Sequence, residues 1–340
     1  MKLARWKIVA TSCFLAALLS VPAWGADTDS RQRTAMPGTL NYVEGQASIG
    51  DQALGRQAVG TADLQDGQVL ETGNGKAEIL LTPGVYLRIG SNSSVQMISS
   101  GLTNTQLALN RGEAMLEVDQ LYKENDIHIT QPGADTRVTK TGLYDFDAND
   151  KTVRVFDGKA VVTADDRNIN VKKNHEVALN SEKIKARGFD KDAVTKNDDL
   201  YRWSSLRSQY LSEANVDTAR IYYVNGGYGA GWWGSGWYWN PAFAGFTYLP
   251  ASGFFYNPFG WGFYSPMVVW RSPVVIGRYH HFDGNRPVTV GRGVRNQPVP
   301  RTHSATGGFR GARVGAGGGG LHGAGGARAG SGFHGSGVHR

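Results

Sequence analysis

Turn signals punctuate the chain from Asp66 to Gly158 too often for a helical domain. Asp66-Gly67, Asn74-Gly75, Pro83-Gly84, Arg111-Gly112, Pro132-Gly133 and Asp157-Gly158 recur at roughly the 8–12-residue spacing of an all-β domain. Alternating apolar residues lie between them. Ile79 and Leu81 precede Pro83-Gly84, and Val85, Leu87 and Ile89 follow it. Pro at the second and Gly at the third position of that turn suit type II geometry, because glycine takes a positive φ without steric cost. Val153 and Val155 alternate with Thr152, Arg154 and Phe156, and Asp157-Gly158 then predicts a hairpin into Ala160-Val161-Val162. Val171, Val177 and Leu179 supply a last strand pair. The expected fold class is all-β, a sandwich or roll over residues 38–188.

The order of these pieces carries a resemblance. Val59–Met97 reads VGTADLQDGQVLETGNGKAEILLTPGVYLRIGSNSSVQM, followed by LALNRGEAMLEV at Leu107–Val118, ITQPGADTRVTKTGLYDFD at Ile129–Asp147 and VRVFDGKAVV at Val153–Val162. Asp66-Gly67, Thr72-Gly73, the Pro83-Gly84 turn and Thr141-Gly142-Leu143-Tyr144 before an acidic strand end are its diagnostic elements. Together they resemble the FecR domain family. The resemblance implies an all-β periplasmic module that takes part in protein contacts and signal relay, without catalysis. The chain departs from the signalling protein that gives the family its name. That protein carries a cytoplasmic helical segment and a membrane span before its β domain. Only about seven residues precede the apolar run here, so direct sigma-factor regulation is not expected. The similarity is to the free-standing exported members with an aromatic, low-complexity C-terminus.

The N-terminus reads as a secretory signal, residues 1–25. Lys2, Arg5 and Lys7 precede an apolar run from Ile8 to Val21, too short for a comfortable membrane span, and cleavage is expected after Gly25. The sole Cys, Cys13, would leave with it, so the mature chain is expected to have no disulfide and no thiolate ligand. Localisation is expected to be periplasmic or at the cell surface. Charge is divided along the chain: Met267–Arg340 holds ten Arg and one acid, whereas Ala26–Pro266 has 23 basic against 28 acidic residues. The basic end favours a polyanion partner. In an exported protein that means lipopolysaccharide, acidic glycan or membrane lipid, and no nucleic acid is expected. Arg292, Arg295, Arg301, Arg310 and Arg313 are the candidate polyanion contacts.

One amphipathic helix is expected over residues 197–215. Asp198-Asp199 suits its N-cap and first turn, and Leu200, Trp203, Leu206, Tyr210, Leu211 and Ala214 make an apolar stripe to pack on the β domain. An aromatic Gly/Pro-rich segment follows, residues 222–285. Eighteen of the 43 residues from Tyr222 to Tyr264 are Phe, Trp or Tyr, and none is charged. A short repeat runs through it: Trp239-Asn240-Pro241 on to Pro250, then Tyr256-Asn257-Pro258 on to Pro266. Asn-Pro favours a turn, and recurrent Pro discourages a regular central strand. Three uses compete: rings packed as a second core, ring faces stacked on sugars, or a patch at a membrane or partner. Trp232, Trp233, Trp237, Trp239, Tyr256 and Trp261 are the candidate glycan or partner contacts.

Val268, Val269, Val274, Val275 and Ile276 suggest a further strand. Residues 286–340 form a Gly/Arg/His-rich tail, with fifteen Gly among the 34 residues from Gly307. Such a composition buries too little apolar area to offset ordering entropy, so disorder is expected. Six of eight His lie in the last 61 residues, but on flexible chain a metal site is not expected. G-x-S-x-G, H-E-x-x-H and Walker A patterns are absent from the sequence. No catalytic residue, metal or cofactor is expected. The function read here is a non-enzymatic envelope scaffold or sensor acting through protein contacts. The alternative is a cell-surface adhesin or glycan-binding protein using the Trp/Tyr segment and basic tail. Partners are accordingly an envelope protein or a surface polysaccharide, with peripheral membrane contact a further option.

Overall fold

The computed structural model describes residues 34–224 and 234–271. Fifteen strands form one sheet that coils on itself. They are β1 (Leu40–Ile49), β2 (Gln52–Ala53), β3 (Val69–Leu80), β4 (Val85–Ile89), β5 (Ser94–Gly101), β6 (Asn104–Arg111), β7 (Glu113–Val118) and β8 (Ile127–Gln131). β9 (Ala134–Val138), β10 (Gly142–Asp147), β11 (Thr152–Asp157), β12 (Lys159–Ala164), β13 (Arg167–Lys172), β14 (His175–Ala178) and β15 (Ala186–Gly188) complete it. The spatial order is β13-β12-β9-β8-β6-β5-β3-β4-β7-β10-β11-β14-β15, with β1 on β3 and β2 on β1. Every pairing is antiparallel except β6 with β8. β13, at one end, lies against β14 and β15 at the other. The sheet is therefore nearly closed.

The alternation that makes strands also divides their faces. Ala77 and Ile79 of β3, Val85, Leu87 and Ile89 of β4, Ala114, Leu116 and Val118 of β7, and Tyr144 and Phe146 of β10 belong to one central cluster inside the coil. Pro83-Gly84 makes the expected turn: Val85 N–H bonds the Thr82 carbonyl at 2.8 Å, with Gly84 at φ +85°.

Two expected pairings are not formed. Asp157-Gly158 does not close a hairpin, because β11 pairs with β10 and β14, while β12 pairs with β9 and β13. The chain instead crosses between the two ends of the sheet at this corner. Tyr144 holds it there: its hydroxyl accepts the Lys159 N–H at 3.0 Å. A Cβ at Gly158 would lie 2.3 Å from that hydroxyl, so the glycine makes room for the crossing rather than for a hairpin. Val171 of β13 and Val177 of β14 likewise sit on strands that do not pair with each other, β13 pairing with β12 and β14 with β11 and β15.

The helix is longer than expected. α1 (Lys191–Asn197) is followed by α2 (Asp199–Val224), because no Gly or Pro interrupts the chain between Asp199 and Val224. Asp198 caps α2, accepting the Tyr201 N–H at 2.7 Å. The buried face is also not the expected stripe. Leu200, Leu211 and Ala214 are buried and Trp203 is half-buried, but Leu206 and Tyr210 are exposed. Ser204, Arg207, Ser208, Ser212, Asn215 and Thr218 are buried instead.

The aromatic segment forms two hairpins, β16 (Gly236–Asn240) with β17 (Gly245–Leu249) and β18 (Phe254–Tyr256) with β19 (Gly262–Tyr264). A short helix, α3 (Pro266–Arg271), follows where a strand was expected at Val268 and Val269. Pro266 opens it, a first-turn position where its missing N–H costs nothing. Val274, Val275 and Ile276 lie outside the described residues, as do residues 1–25, expected to be a signal, and residues 286–340, expected to be a tail. No described helix is long and apolar enough to cross a membrane.

Candidate functional site

The outward faces of β3, β4, β7, β10 and β11 are largely covered. They carry Glu78, Leu80, Tyr86, Arg88, Met115, Glu117, Leu143, Asp145 and Phe156, all buried. α2 and the hairpins cover them. Leu80 and Tyr86 pack with Leu211, Phe246, Tyr248 and Phe263. Met115, Leu143 and Phe156 pack with Leu200, Tyr201 and Phe259.

A charge-balanced network crosses this junction. Arg88 donates Nε to Glu78 at 2.8 Å and Nη1 to Glu117. From α2, Arg207 reaches Glu78 at 2.8 Å and Ser208 bonds Glu117. Asn257 of the second hairpin donates to Glu117 at 2.6 Å, and Asn41 of β1 donates to Glu78 at 2.9 Å. The Arg207 guanidinium lies over the Tyr42 ring, 4.0 Å from its centroid. Burial would push Glu78 up, but the charges of Arg207 and Arg88 outweigh it and hold the carboxyl at about 2. Burial, followed by the Glu117 charge, pushes Asp119 well up against the pull of Arg88.

The Asn-Pro repeat has one structural meaning in both copies. Asn240 accepts the Phe243 N–H at 2.8 Å and donates to the Ala214 carbonyl and Thr218 hydroxyl of α2. Asn257 accepts the Trp261 N–H at 2.8 Å and donates to Ser208 of α2. Each side chain thus closes its own turn and fastens that turn to the helix. Asn41 and Asn215 complete the fastening from the other side. Asn41 accepts the Phe246 N–H at 2.7 Å, and Asn215 accepts the Tyr264 N–H at 2.9 Å. Sequence reasoning missed Asn41, Asn215 and Arg207, because nothing local distinguishes them.

The residues expected to contact a ligand divide by position. Trp237, Trp239 and Trp261 are half-buried and packed. Trp237 stands edge-on to Tyr86 at 4.9 Å, and Trp239 to Phe246 at 5.1 Å. Tyr256 is 43 % exposed. Trp232 and Trp233 lie outside the described residues, as do Arg292, Arg295, Arg301, Arg310 and Arg313. Among the described residues, the rings most open to solvent were not singled out from sequence: Phe254, at 56 %, and Trp270, at 60 %. Phe254 stacks on Tyr264 at 5.7 Å and 22°.

A second polar cluster sits at the edge of this junction. Glu113 of β7, Asp145 of β10 and Asp198 at the α2 N-cap place carboxylate oxygens within 4.8 Å of one another. Arg154 bonds Asp145 at 2.9 Å and also Glu176 at 3.0 Å. Burial, then the charges of Asp145, Asp198 and Asp147, push Glu113 up to about 9. Burial also takes Asp145 to about 7 against the pull of Arg154. A carboxyl raised on folding contributes its stability while protonated and loses it as pH rises through the folded value. In buffer containing a chelator, this cluster's contribution should therefore decline from about pH 4.5 to about pH 9, and Glu113→Gln should flatten the decline. Glu78 acts oppositely, its contribution falling away in acid between about pH 4.5 and about pH 2. Urea denaturation across pH checks both; an unchanged alkaline slope in Glu113→Gln would remove Glu113 from the account.

Residues 68–161 match the family model described as FecR protein. Two crystal structures of a candidate anti-sigma factor from Parabacteroides distasonis are similar, at 18 % and 16 % identity with TM-scores of 0.32 and 0.33. Each match covers 37 % of this chain, and the chain spans 61 % and 62 % of theirs. No curated protein matches. The family match begins one residue before β3 and ends within β12, taking in Glu78, Arg88, Glu113, Glu117 and Asp145. Residues 68–161 are thus similar to the FecR family model, and the outward charges of this segment are covered by a helix and two aromatic hairpins that lie beyond the matched residues.

Proposed function

We propose that this chain is a non-enzymatic exported FecR-domain protein that acts as an envelope scaffold or sensor through protein contacts, as part of a signal relay. The observation that carries the reading is the junction itself. α2 and both hairpins are fastened to the FecR sheet by Arg88, Glu78, Glu117, Asn41 and Asn257. The aromatic segment then extends the domain's core and presents a separate surface, the Phe254–Tyr256 strand, rather than enclosing a substrate. The FecR match supports protein contact as the use of that surface.

A photo-crosslinking residue placed at Phe254 in cells tests this against one placed at Asn168, on the exposed edge strand β13. The expected result is one defined envelope protein captured from position 254 and not from 168. Capture from neither position would count against the proposal.

One observation favours a second reading, glycan binding. Phe254 and Tyr256 are exposed, and Tyr264 stacks beside Phe254, which presents ring faces of the kind sugars stack on. That reading expects polysaccharide to retard the protein in affinity electrophoresis, and Phe254→Ala with Tyr256→Ala to abolish the retardation. The structure moves the test away from Trp237, Trp239 and Trp261, because their substitution would also disturb packing.

A further inference from the structure

The carboxylate cluster at the start of α2 has a feature that ion pairing within the protein leaves unexplained. Asp145 has no exposed side-chain surface. Arg154 occupies its Oδ2, whereas its Oδ1 is buried without a hydrogen-bond partner. Asp198 repeats the arrangement. Its Oδ1 accepts the Tyr201 N–H, and its Oδ2 is buried without a partner. One carboxylate oxygen from each of Glu113, Asp145 and Asp198 lies within 4.8 Å of the others, and two of the three residues carry a buried oxygen without a hydrogen-bond partner. Leaving such oxygens unsatisfied in a protein interior is costly.

Charge points the same way. One guanidinium, Arg154, acts on Asp145 and Asp198, and it is shared with Glu176. Glu176 also draws on Arg187. Asp147 adds negative charge nearby. On α2, Asp199 is paired with Lys76 at 2.8 Å and directs its charge there. The deficit is of cations, and the donors are all hard oxygens, which select Ca2+ or Mg2+ over softer metals. Mg2+ demands near-ideal octahedral geometry at about 2.0–2.1 Å, whereas Ca2+ accepts irregular oxygen sets at about 2.3–2.6 Å, and ligands drawn from three separate elements suit the more permissive ion. Glu113 and Asp198 are only half-buried, which leaves a route from solvent and room for water ligands.

We propose that Glu113, Asp145 and Asp198 form a Ca2+ site that ties the first turn of α2 to strands β7 and β10. Sequence reasoning expected no metal, because the three residues are far apart in the chain and follow no loop motif. The site bears on the fastening of α2 to the FecR domain and stands independently of the partner the domain contacts.

The test uses the full exported chain, stripped with EDTA and returned to chelator-free buffer. Adding CaCl2 to about 100 times its Kd should raise Tm by roughly 5–10 °C, and MgCl2 at the same concentration should raise it less. Tb3+ should give emission sensitised by Tyr201, on the first turn of α2, and Ca2+ should quench it by displacement. Asp198→Asn keeps a capping oxygen, so it should fold with a near-normal Tm in EDTA and lose the Ca2+ response. Glu113→Gln should lose it too. A Ca2+ response that survives both substitutions, or an equal response to Mg2+, would overturn the assignment. The Tb3+ measurement on the unsubstituted protein stands even where a variant fails to fold: no Ca2+-displaceable emission means no site.

Discussion

Arg88→Met is expected to destabilise the protein by about 3–5 kcal/mol, the usual loss when one partner of a buried ion pair is removed. Arg88 has no exposed surface, and neither do Glu78 and Glu117. Without it, Glu78 keeps Arg207, but Glu117 keeps only neutral donors, Ser208 and Asn257. A buried carboxylate in that position must take up a proton or open the junction to water. One consequence distinguishes this from a simple loss of packing. Adding Glu117→Gln to Arg88→Met should recover part of the loss, because it removes the stranded charge. Urea denaturation of the single and double variants reads the effect. An Arg88→Met protein within about 0.5 kcal/mol of the parent would show that water enters the junction and that the network is not closed.

Phe246→Ala is expected to cost about 3–5 kcal/mol, in the range for emptying a large ring from a packed core. Its ring is fully buried among Leu80, Tyr86, Leu211, Tyr248 and Phe263. Its backbone N–H and carbonyl are both held by Asn41, so the strand is fixed from one side and little collapse into the cavity is available. Phe254→Ala should stay within about 0.5 kcal/mol, since that ring is mostly in solvent. The two residues lie eight positions apart in an uncharged aromatic segment of one composition. Equal costs for the two variants would mean that the hairpins are not docked on the domain.

The difference between these two phenylalanines marks where sequence reading stops. Composition established that Tyr222–Tyr264 would not remain a solvated linker, and the Asn-Pro repeat marked two units within it. It could not say which rings face inward, because the segment alternates apolar with apolar and has no polar face to orient it. Phe254 and Phe255 are indistinguishable as residues; one is exposed and the other packs on the second core because of what lies across from each. The tryptophans singled out for contact were chosen for ring size, and large rings are also what fills an irregular junction.

The FecR sheet was more legible. Alternation at Val85, Leu87 and Ile89 and the Pro83-Gly84 turn are local properties, and local geometry alone produces them. The hairpin expected at Asp157-Gly158 failed for a nonlocal reason. The same dipeptide serves a tight turn or a corner, and Tyr144, on the neighbouring strand β10, decides which. Glu78, Arg88 and Glu117 show the same limit on a larger scale. In sequence they are the polar half of an alternating pattern, which ordinarily means the solvent face. Their burial depends on Arg207 and Asn257 arriving from more than a hundred residues away.

The sequence by itself determined the β-rich class, the strands around the Pro83-Gly84 turn, the resemblance to the FecR domain and the presence of an aromatic segment too rich in rings to stay solvated, since each rests on spacing or composition within a short stretch. Only the tertiary structure decided which face of the sheet is covered, which charges are paired and which rings stay open. Those outcomes depend on desolvation and on partners brought together from distant parts of the chain.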